Sequence, residues 1–228
     1  MSLSGTQIAS LVLCWLAYAA LHSVLASLWL KRVVAARWPR LARGYRLGFN
    51  LLAVLLLVPP LWLTFAWRGP LLWSWDGGWA WLANALALAA VAGFLWSTRY
   101  YDMGVFYGST QWRTRERAAE DPGGLALSPL HRHVRHPWYS LGLLILWTRD
   151  MDEARLTSAL CITLYLWLGS LLEERKLLAF HGEAYARYRA RVPGLIPWPG
   201  RSLDADEARA LCALRRHQDD TTSTHGGS

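Results

Sequence analysis

Apolar residues fall into five blocks along this chain, at roughly residues 7–30, 45–65, 79–97, 138–148 and 156–172. Between Leu51 and Leu63 there is no charged side chain at all. Each of the first three blocks is long enough to cross a bilayer core of ~30 Å as a helix. The first is too long for a signal-peptide core and no basic residue precedes it, so it is expected to be a retained anchor. The fourth, 11 residues at ~1.5 Å each, reaches only ~16 Å, and must borrow flanking residues as far as about 150, thin the membrane or re-enter. The pattern predicts an all-α, polytopic membrane protein with five transmembrane helices, the last two forming a short hairpin. A membrane domain is expected over 1–200 and a polar cytoplasmic tail over 201–228. In that tail, residues 204–216 are expected to form a short helix and 219–228 to be disordered.

Composition agrees with this reading. Hydrophobic residues make up 54% of the 228 positions, which excludes an ordinary soluble domain. The lysines and arginines then orient the spans, because basic loops stay on the cytoplasmic side. Residues 31–46, 99–137 and everything after Glu173 together hold 21 of the 24 basic side chains, leaving only Arg68, Arg149 and Arg155 elsewhere. The predicted topology has the N-terminus outside and the C-terminus cytoplasmic, in what is expected to be a bacterial inner membrane. The net charge of +8 is read as this topology signal, with the lipid bilayer as partner and no nucleic acid. Trp62, Trp67, Trp73, Trp75, Trp79 and Trp81 crowd the second loop and are expected to form an outer aromatic belt. Cys14, Cys161 and Cys212 have no paired spacing, and His131, His133, His136 and His181 lack a completing carboxylate or thiol, so no metal is expected.

Chemistry should concentrate in the long cytoplasmic connection 99–137, where Gly104, Gly108, Asp121-Pro122-Gly123-Gly124 and Pro129 predict a turn-rich flap. Its end, Arg135-His136-Pro137, suits a helix start, since the missing N–H of proline is harmless at the first helical position. The helix N-terminus beside Arg132, Arg135 and His136 would receive a carboxylate or phosphate, and the alternative is that the His131–His136 cluster anchors a helix end to anionic lipid. At the far end of the hairpin stand Glu173 and Glu174, expected at a helix C-terminus, where the dipole disfavours anions. Two acids there call for a cationic ligand. Neighbouring helical positions diverge by about 100°, so one of the pair is expected to face the pocket, and the spacing does not choose between them.

These residues resemble the integral-membrane methyltransferases typified by isoprenylcysteine carboxyl methyltransferase, with relatives acting on phospholipid amines and small thiols. The resemblance runs from Arg135 to Pro197 in three ordered blocks: Arg135-His136-Pro137-x-Tyr139-x-x-Gly142, Glu173-Glu174-Arg175, and Gly182-x-x-Tyr185-x-x-Tyr188-x-x-x-Val192-Pro193. Relatives often carry Phe-Gly where this chain has His181-Gly182, with Phe180 one place earlier. Shorter matches to bacterial members are His22-Ser23, Tyr45-Arg46-Leu47 with Asn50, and Tyr107-Gly108-x-x-Gln111, which is similar to a segment of bacterial thiol methyltransferases.

The resemblance implies S-adenosyl-L-methionine as methyl donor, held by Arg135, His136, Pro137, Tyr139, Gly142, Glu173, Glu174 and Tyr185, with Tyr188 helping to close the pocket. Glu174, Arg187 and Arg191 are then the candidate catalytic residues, the arginines positioning the acceptor. His22, Tyr107 and Gln111 are the candidate acceptor-binding residues. His22 lies about 14 Å inside the membrane by helical rise, where an ionisable group is a functional candidate; the alternative is a neutral histidine hydrogen-bonded to a neighbouring helix. The expected acceptor is membrane-soluble or small and apolar: an isoprenylcysteine carboxylate, a lipid or a thiol. Two rival functions remain at this stage, a non-catalytic scaffold of the same architecture and a membrane NADPH-dependent reductase.

Overall fold

The computed structural model of the chain describes residues 1–114 and 127–213. The expected Asp121-Pro122-Gly123-Gly124 turns, the end of the 204–216 helix and the 219–228 tail lie outside these residues.

Helix α1 spans Gly5–Ala26 and opens on a capping box, in which Ser4 Oγ accepts from Gln7 N at 3.2 Å and Gln7 Oε1 accepts from Ser4 N at 2.9 Å. The first apolar block does not continue to residue 30 as one helix. Ser27 is extended (φ −67°, ψ 144°), donates its hydroxyl to Val24 O at 2.7 Å and accepts from Leu30 N at 3.2 Å, so it starts α2, Leu28–Arg37. A serine that can serve both helix ends outweighs uninterrupted hydrophobicity. After the single turn α3 (Pro39–Ala42) comes α4, Tyr45–Ala66, which carries Pro59 and Pro60 inside it. Then follow strand β1 (Leu71–Trp73), α5 (Gly78–Ser97) and the short α6 (Met103–Tyr107) and α7 (Ser109–Thr114). Helix α8 spans Pro137–Trp147, strand β2 Met151–Asp152, and α9 Glu153–Arg191.

The architecture is almost entirely helical. By length and composition α1, α4, α5 (extended to Tyr100) and α9 are able to cross a membrane, while α8 is a shorter apolar helix. Their faces carry exposed leucines such as Leu13, Leu51, Leu88 and Leu164, the surface an integral membrane protein offers to lipid.

Contacts divide the chain into two compact units, Met1–Glu120 with Leu144–Tyr165, and Asp121–Leu143 with Leu166–Ser228. In the first, Leu11, Trp15 and Ala154 form a buried cluster. A polar tie runs through it: Trp15 Nε1 donates to Ser158 Oγ at 2.9 Å, and Ser158 Oγ lies 2.6 Å from Thr64 Oγ1. Away from water each of these groups needs a partner, so the tie fixes the register of α1, α4 and α9. Strands β1 and β2 pair antiparallel, Leu71 opposite Asp152 and Trp73 opposite Met151, and Trp73 stacks on Trp147 at 6.5 Å.

In the second unit Tyr185, Tyr188, Val192, Leu203 and Ala208 form the core. Helix α9 does not end near Leu172 but runs on for two more turns, then breaks at Gly182 (φ 52°, ψ −128°), a conformation that essentially only glycine adopts. Glu173 and Glu174 therefore sit inside a helix rather than at its C-terminus, which overturns the dipole argument for a cationic ligand. A further helix over residues 205–213 brings Ala208 onto the core, and Leu203 N donates to Arg132 O at 3.0 Å.

Candidate functional site

Pro137 is the first residue of α8, and the chain just before it is clamped by the segment after α9. Arg135 N donates to Pro193 O at 2.9 Å, His136 N to Gly194 O at 3.1 Å, and Ser140 Oγ to Leu195 O at 2.5 Å. These bonds, two from backbone N–H groups and one from a serine hydroxyl, hold Arg135 and His136 against the flank of α9 that carries the two glutamates.

Glu174 is 5% exposed and its Oε1 is the focus of the site. It accepts from Arg135 Nε at 2.8 Å and Nη2 at 2.7 Å, and lies 3.2 Å from His136 Nε2. The remaining guanidinium nitrogen, Nη1, donates to Arg189 O at 3.1 Å and to Val192 O. Arg135 is thus used on every side, joining the α8 start to α9 and to the end of the chain segment behind it. The ring of His136, 6% exposed, turns its other nitrogen Nδ1 to Glu173 Oε2 at 3.5 Å. Both acids therefore reach the cluster, where one was expected, because a two-sided imidazole fills the angle between adjacent helical positions.

Glu173 is the acid left open, its side chain 49% exposed. Its Oε2 accepts from Tyr139 OH at 3.2 Å, and the Tyr139 ring lies parallel to His136 at 5.4 Å. Burial pulls the Glu173 carboxyl upward, but the hydrogen bond and charge of His136, the Tyr139 hydroxyl and Lys176 outweigh it and hold the pKa below the usual carboxylate value. Tyr185, 1% exposed, has a hydroxyl without a hydrogen-bond partner among the described residues. Burial first, then the negative charge of Glu174, pushes that phenol well above its ordinary pKa, so it stays a donor. His131 is pushed the other way, down to about 4, by burial and by the charge of His136, with Glu173 opposing. Its Nδ1 accepts from Ser128 N at 3.3 Å, a contact that needs this nitrogen unprotonated. The open carboxylate of Glu173 and the unsatisfied phenol of Tyr185, beside the fixed guanidinium and imidazole, have the chemistry to fit a ligand carrying both signs of charge.

Other expected site residues fall as follows. Gly142 lies on α8 with open space where a Cβ would stand. Arg187 is paired with Glu183 at 2.5 Å and Arg191 with Glu207 at 3.1 Å, both exposed, and neither joins the Arg135–Glu174 cluster among the described contacts. In the first unit, His22 Nδ1 lies 2.7 Å from Tyr165 OH, within an aromatic group that includes Phe49 at 5.1 Å and Tyr18 at 5.6 Å. Tyr107, 53% exposed, ends α6, and Gln111 lies in α7. Two short sequence matches meet here: Arg46 Nη1 donates to Val105 O at 2.7 Å, Asn50 Nδ2 to Tyr107 O at 3.2 Å, and Gly108 (φ 90°) presses on Arg46 and Leu47 so closely that a Cβ would stand 2.8 Å from Arg46 Cβ. Missed from sequence were the carbonyls of Arg189, Val192 and Pro193 to Leu195, which any residue type supplies and no motif announces. Tyr165 was missed too, since nothing in its own helix marks it as the partner of His22.

A cavity of about 580 Å³ lies in the first unit, lined by Trp15, Thr64, Trp75, Asn84, Arg149 and neighbours, and includes none of the Arg135–Glu174 cluster.

No family model matches the chain, and no solved structure is similar to it at a significant level. Among characterised proteins, methanethiol S-methyltransferase 2 of Bradyrhizobium diazoefficiens is 33% identical over 185 residues, covering 79% of this chain and 69% of that protein. Methanethiol S-methyltransferase of Pseudomonas deceptionensis is 35% identical over 119 residues, 51% of this chain and 43% of that protein. The Crocosphaera subtropica protein of the same name is 43% identical over 72 residues, which are 31% of this chain and only 28% of that relative's length. On the 185-residue match, and on the Arg-His-Pro and Glu-Glu blocks that the fold brings together, the chain belongs to the methanethiol S-methyltransferase group of the isoprenylcysteine carboxyl methyltransferase-like membrane proteins.

Proposed function

We propose that the chain is an S-adenosyl-L-methionine-dependent methyltransferase acting on a small thiol of the methanethiol type. On this reading it crosses the membrane five times, α8 included, with the donor site on the cytoplasmic face and the N-terminus outside. The single observation that carries the reading is the convergence of Arg135, His136, Tyr139, Glu173 and Glu174 on one spot from positions almost forty residues apart. The names of the relatives supply the acceptor class.

When bound, S-adenosyl-L-methionine supplies a methyl carbon on a cationic sulfonium, which the thiol's sulfur, its proton released to water, takes by in-line displacement to leave a thioether and S-adenosylhomocysteine. The chain's own residues divide the remaining work. Glu174, Arg135 and His136 are a buried lock that positions the start of α8. Glu173, half-exposed and held ionised, accepts from the ammonium of the donor's amino-acid end or faces the sulfonium. Tyr185 donates its unsatisfied hydroxyl to the carboxylate of that end, and Tyr139 with Gly142 shapes the wall beside it. No side-chain nucleophile is required, so alignment and exclusion of water supply most of the acceleration. A small apolar thiol dissolves in the bilayer, and the aromatic group around His22 and Tyr165 is the acceptor's resting place on this reading.

Calorimetric titration of the detergent-solubilised protein with S-adenosylhomocysteine tests the assignment. Binding is expected, and Glu173→Gln is expected to weaken it by roughly tenfold to a hundredfold, the worth of one charge-assisted hydrogen bond. No binding by the wild type, or full affinity in Glu173→Gln, would defeat the proposal. Binding of NADPH in its place would point to the reductase.

A further inference from the structure

The 580 Å³ cavity of the first unit has the size and lining of a small-molecule site, mostly apolar with a few placed polar groups. It is far larger than a one-carbon thiol needs. Leu61, Phe65, Leu146, Met151 and Ile162 supply its apolar walls. Its inner polar groups are satisfied: Thr64, Ser158 and Trp15 bond to one another, and Thr64 also donates to Pro60 O at 2.7 Å.

Two other lining groups are not satisfied. Trp75 Nε1 and Arg149 Nε are both buried donors without an acceptor among the described residues. Their neighbours explain why. The backbone N–H of Trp75 is held by Asp150 Oδ1 at 3.1 Å, and the guanidinium end of Arg149 is anchored on α5, Nη1 to Asn84 Oδ1 at 2.9 Å and Nη2 to Ala83 O at 3.3 Å. Both side chains are thereby fixed with one N–H left over. A buried donor without an acceptor carries a desolvation penalty, so two of them on one cavity call for acceptor oxygens from an occupant. Of the charged groups at this cavity, Arg155 is matched by Asp152 at 3.5 Å and Asp150 accepts from Trp75 N, whereas the described contacts of Arg149 are only to the neutral oxygens of Asn84 and Ala83, so the occupant's oxygens are favoured as an anion.

We infer that this cavity binds an amphiphile with an aliphatic chain ending in an anionic oxygen head, the chain against the leucine-lined walls and the head between Trp75 Nε1 and Arg149 Nε. A free medium-chain carboxylate and an anionic phospholipid share this chemistry. On the topology read from the basic residues Trp75 and Arg149 belong to the outer connections, so this is a second ligand site, separate in its chemistry from methyl donor and thiol. It does not depend on the proposed reaction.

Decanoate and decanol are titrated into the full-length protein in a maltoside detergent by calorimetry, and lipid retention from phosphatidylglycerol vesicles is read by native mass spectrometry. Decanoate, or retained phosphatidylglycerol, is expected to bind the wild type, and whichever does so names the source of the head group. Trp75→Phe and Arg149→Lys, which keep ring and charge but remove the two free N–H groups, are each expected to weaken that binding about tenfold, the equivalent of one net hydrogen bond. Binding that is equal in both variants, or absent for both anionic ligands, overturns the inference. Decanol binding the wild type as tightly as decanoate also overturns it, and needs no variant to fold. Affinity for S-adenosylhomocysteine, measured on the same samples, reports on the other unit and is expected to be unchanged.

Discussion

Replacing Glu174 is the sharpest perturbation of the lock. The Glu174 side chain is 7% exposed and the Arg135 side chain 12%, and Oε1 alone receives two guanidinium nitrogens and stands beside His136 Nε2. Glu174→Ala strips the guanidinium of its counter-charge in a place water hardly reaches, and breaking such a pair costs about 3–5 kcal/mol. Glu174→Gln leaves an oxygen at the same spot and removes only the charge, which reduces a charged hydrogen bond to a neutral one at about 1–2 kcal/mol. Arg135→Met alone strands the carboxylate instead. The double change Arg135→Met with Glu174→Leu removes both charges and leaves apolar bulk, so it should cost much less than the two single losses combined, with a coupling of roughly 2–4 kcal/mol. Thermal unfolding in detergent, followed by tryptophan fluorescence, orders the variants: Glu174→Ala lowest, Glu174→Gln intermediate, the double variant above Glu174→Ala. Additive losses in the double variant would show that the two side chains do not act as a pair and would refute the lock.

Acid should loosen the same unit. His131 is held near pKa 4 against about 6.5 when unfolded, so between those values the unfolded chain takes up a proton that the folded one refuses. Stability present above pH 6.5 is therefore lost as pH falls towards 4, by roughly 3 kcal/mol for a shift of that size, and His131→Gln should flatten the slope in a pH series of unfolding midpoints. Glu173, its pKa depressed, adds a further loss as pH falls below the unfolded carboxylate value, which Glu173→Gln abolishes. Gly182→Ala should cost about 1–3 kcal/mol through backbone strain alone, since its Cβ would meet nothing, and circular dichroism melting would read it. Leu203→Ala, which cuts a 3% exposed side chain from the Tyr185–Tyr188 core, should cost about 2–5 kcal/mol and weaken S-adenosylhomocysteine binding as well.

Much of this arrangement was legible because hydropathy and proline act locally. The 45–65 and 79–97 blocks became α4 and α5 with nearly the expected bounds, and Pro137 starts α8 as its missing N–H predicts. The meeting of Arg135 with the glutamates followed from the hairpin. Other features answer to forces that hydropathy does not report. Helix α9 continues past Leu172 because Glu173 to Lys176 are good helix formers, so the end of the apolar block marks a change of surroundings rather than the end of a helix. The break at Ser27 comes from one hydroxyl able to cap two ends. Strands of three and two residues around Trp73 and Met151 are too short to carry a period, and the carbonyl clamp of residues 193–195 has no side-chain signature. Which glutamate lies open was undecidable from spacing, because the answer depends on an imidazole filling the space between both.

Transfer of a labelled methyl group tests the central claim most directly. The purified protein, incubated with methyl-labelled S-adenosyl-L-methionine and methanethiol, is expected to release labelled dimethyl sulfide into the headspace, and Glu173→Gln to lose most of that activity while unfolding at nearly the wild-type temperature. No labelled thioether from the folded wild type, or full activity in Glu173→Gln, would contradict the account.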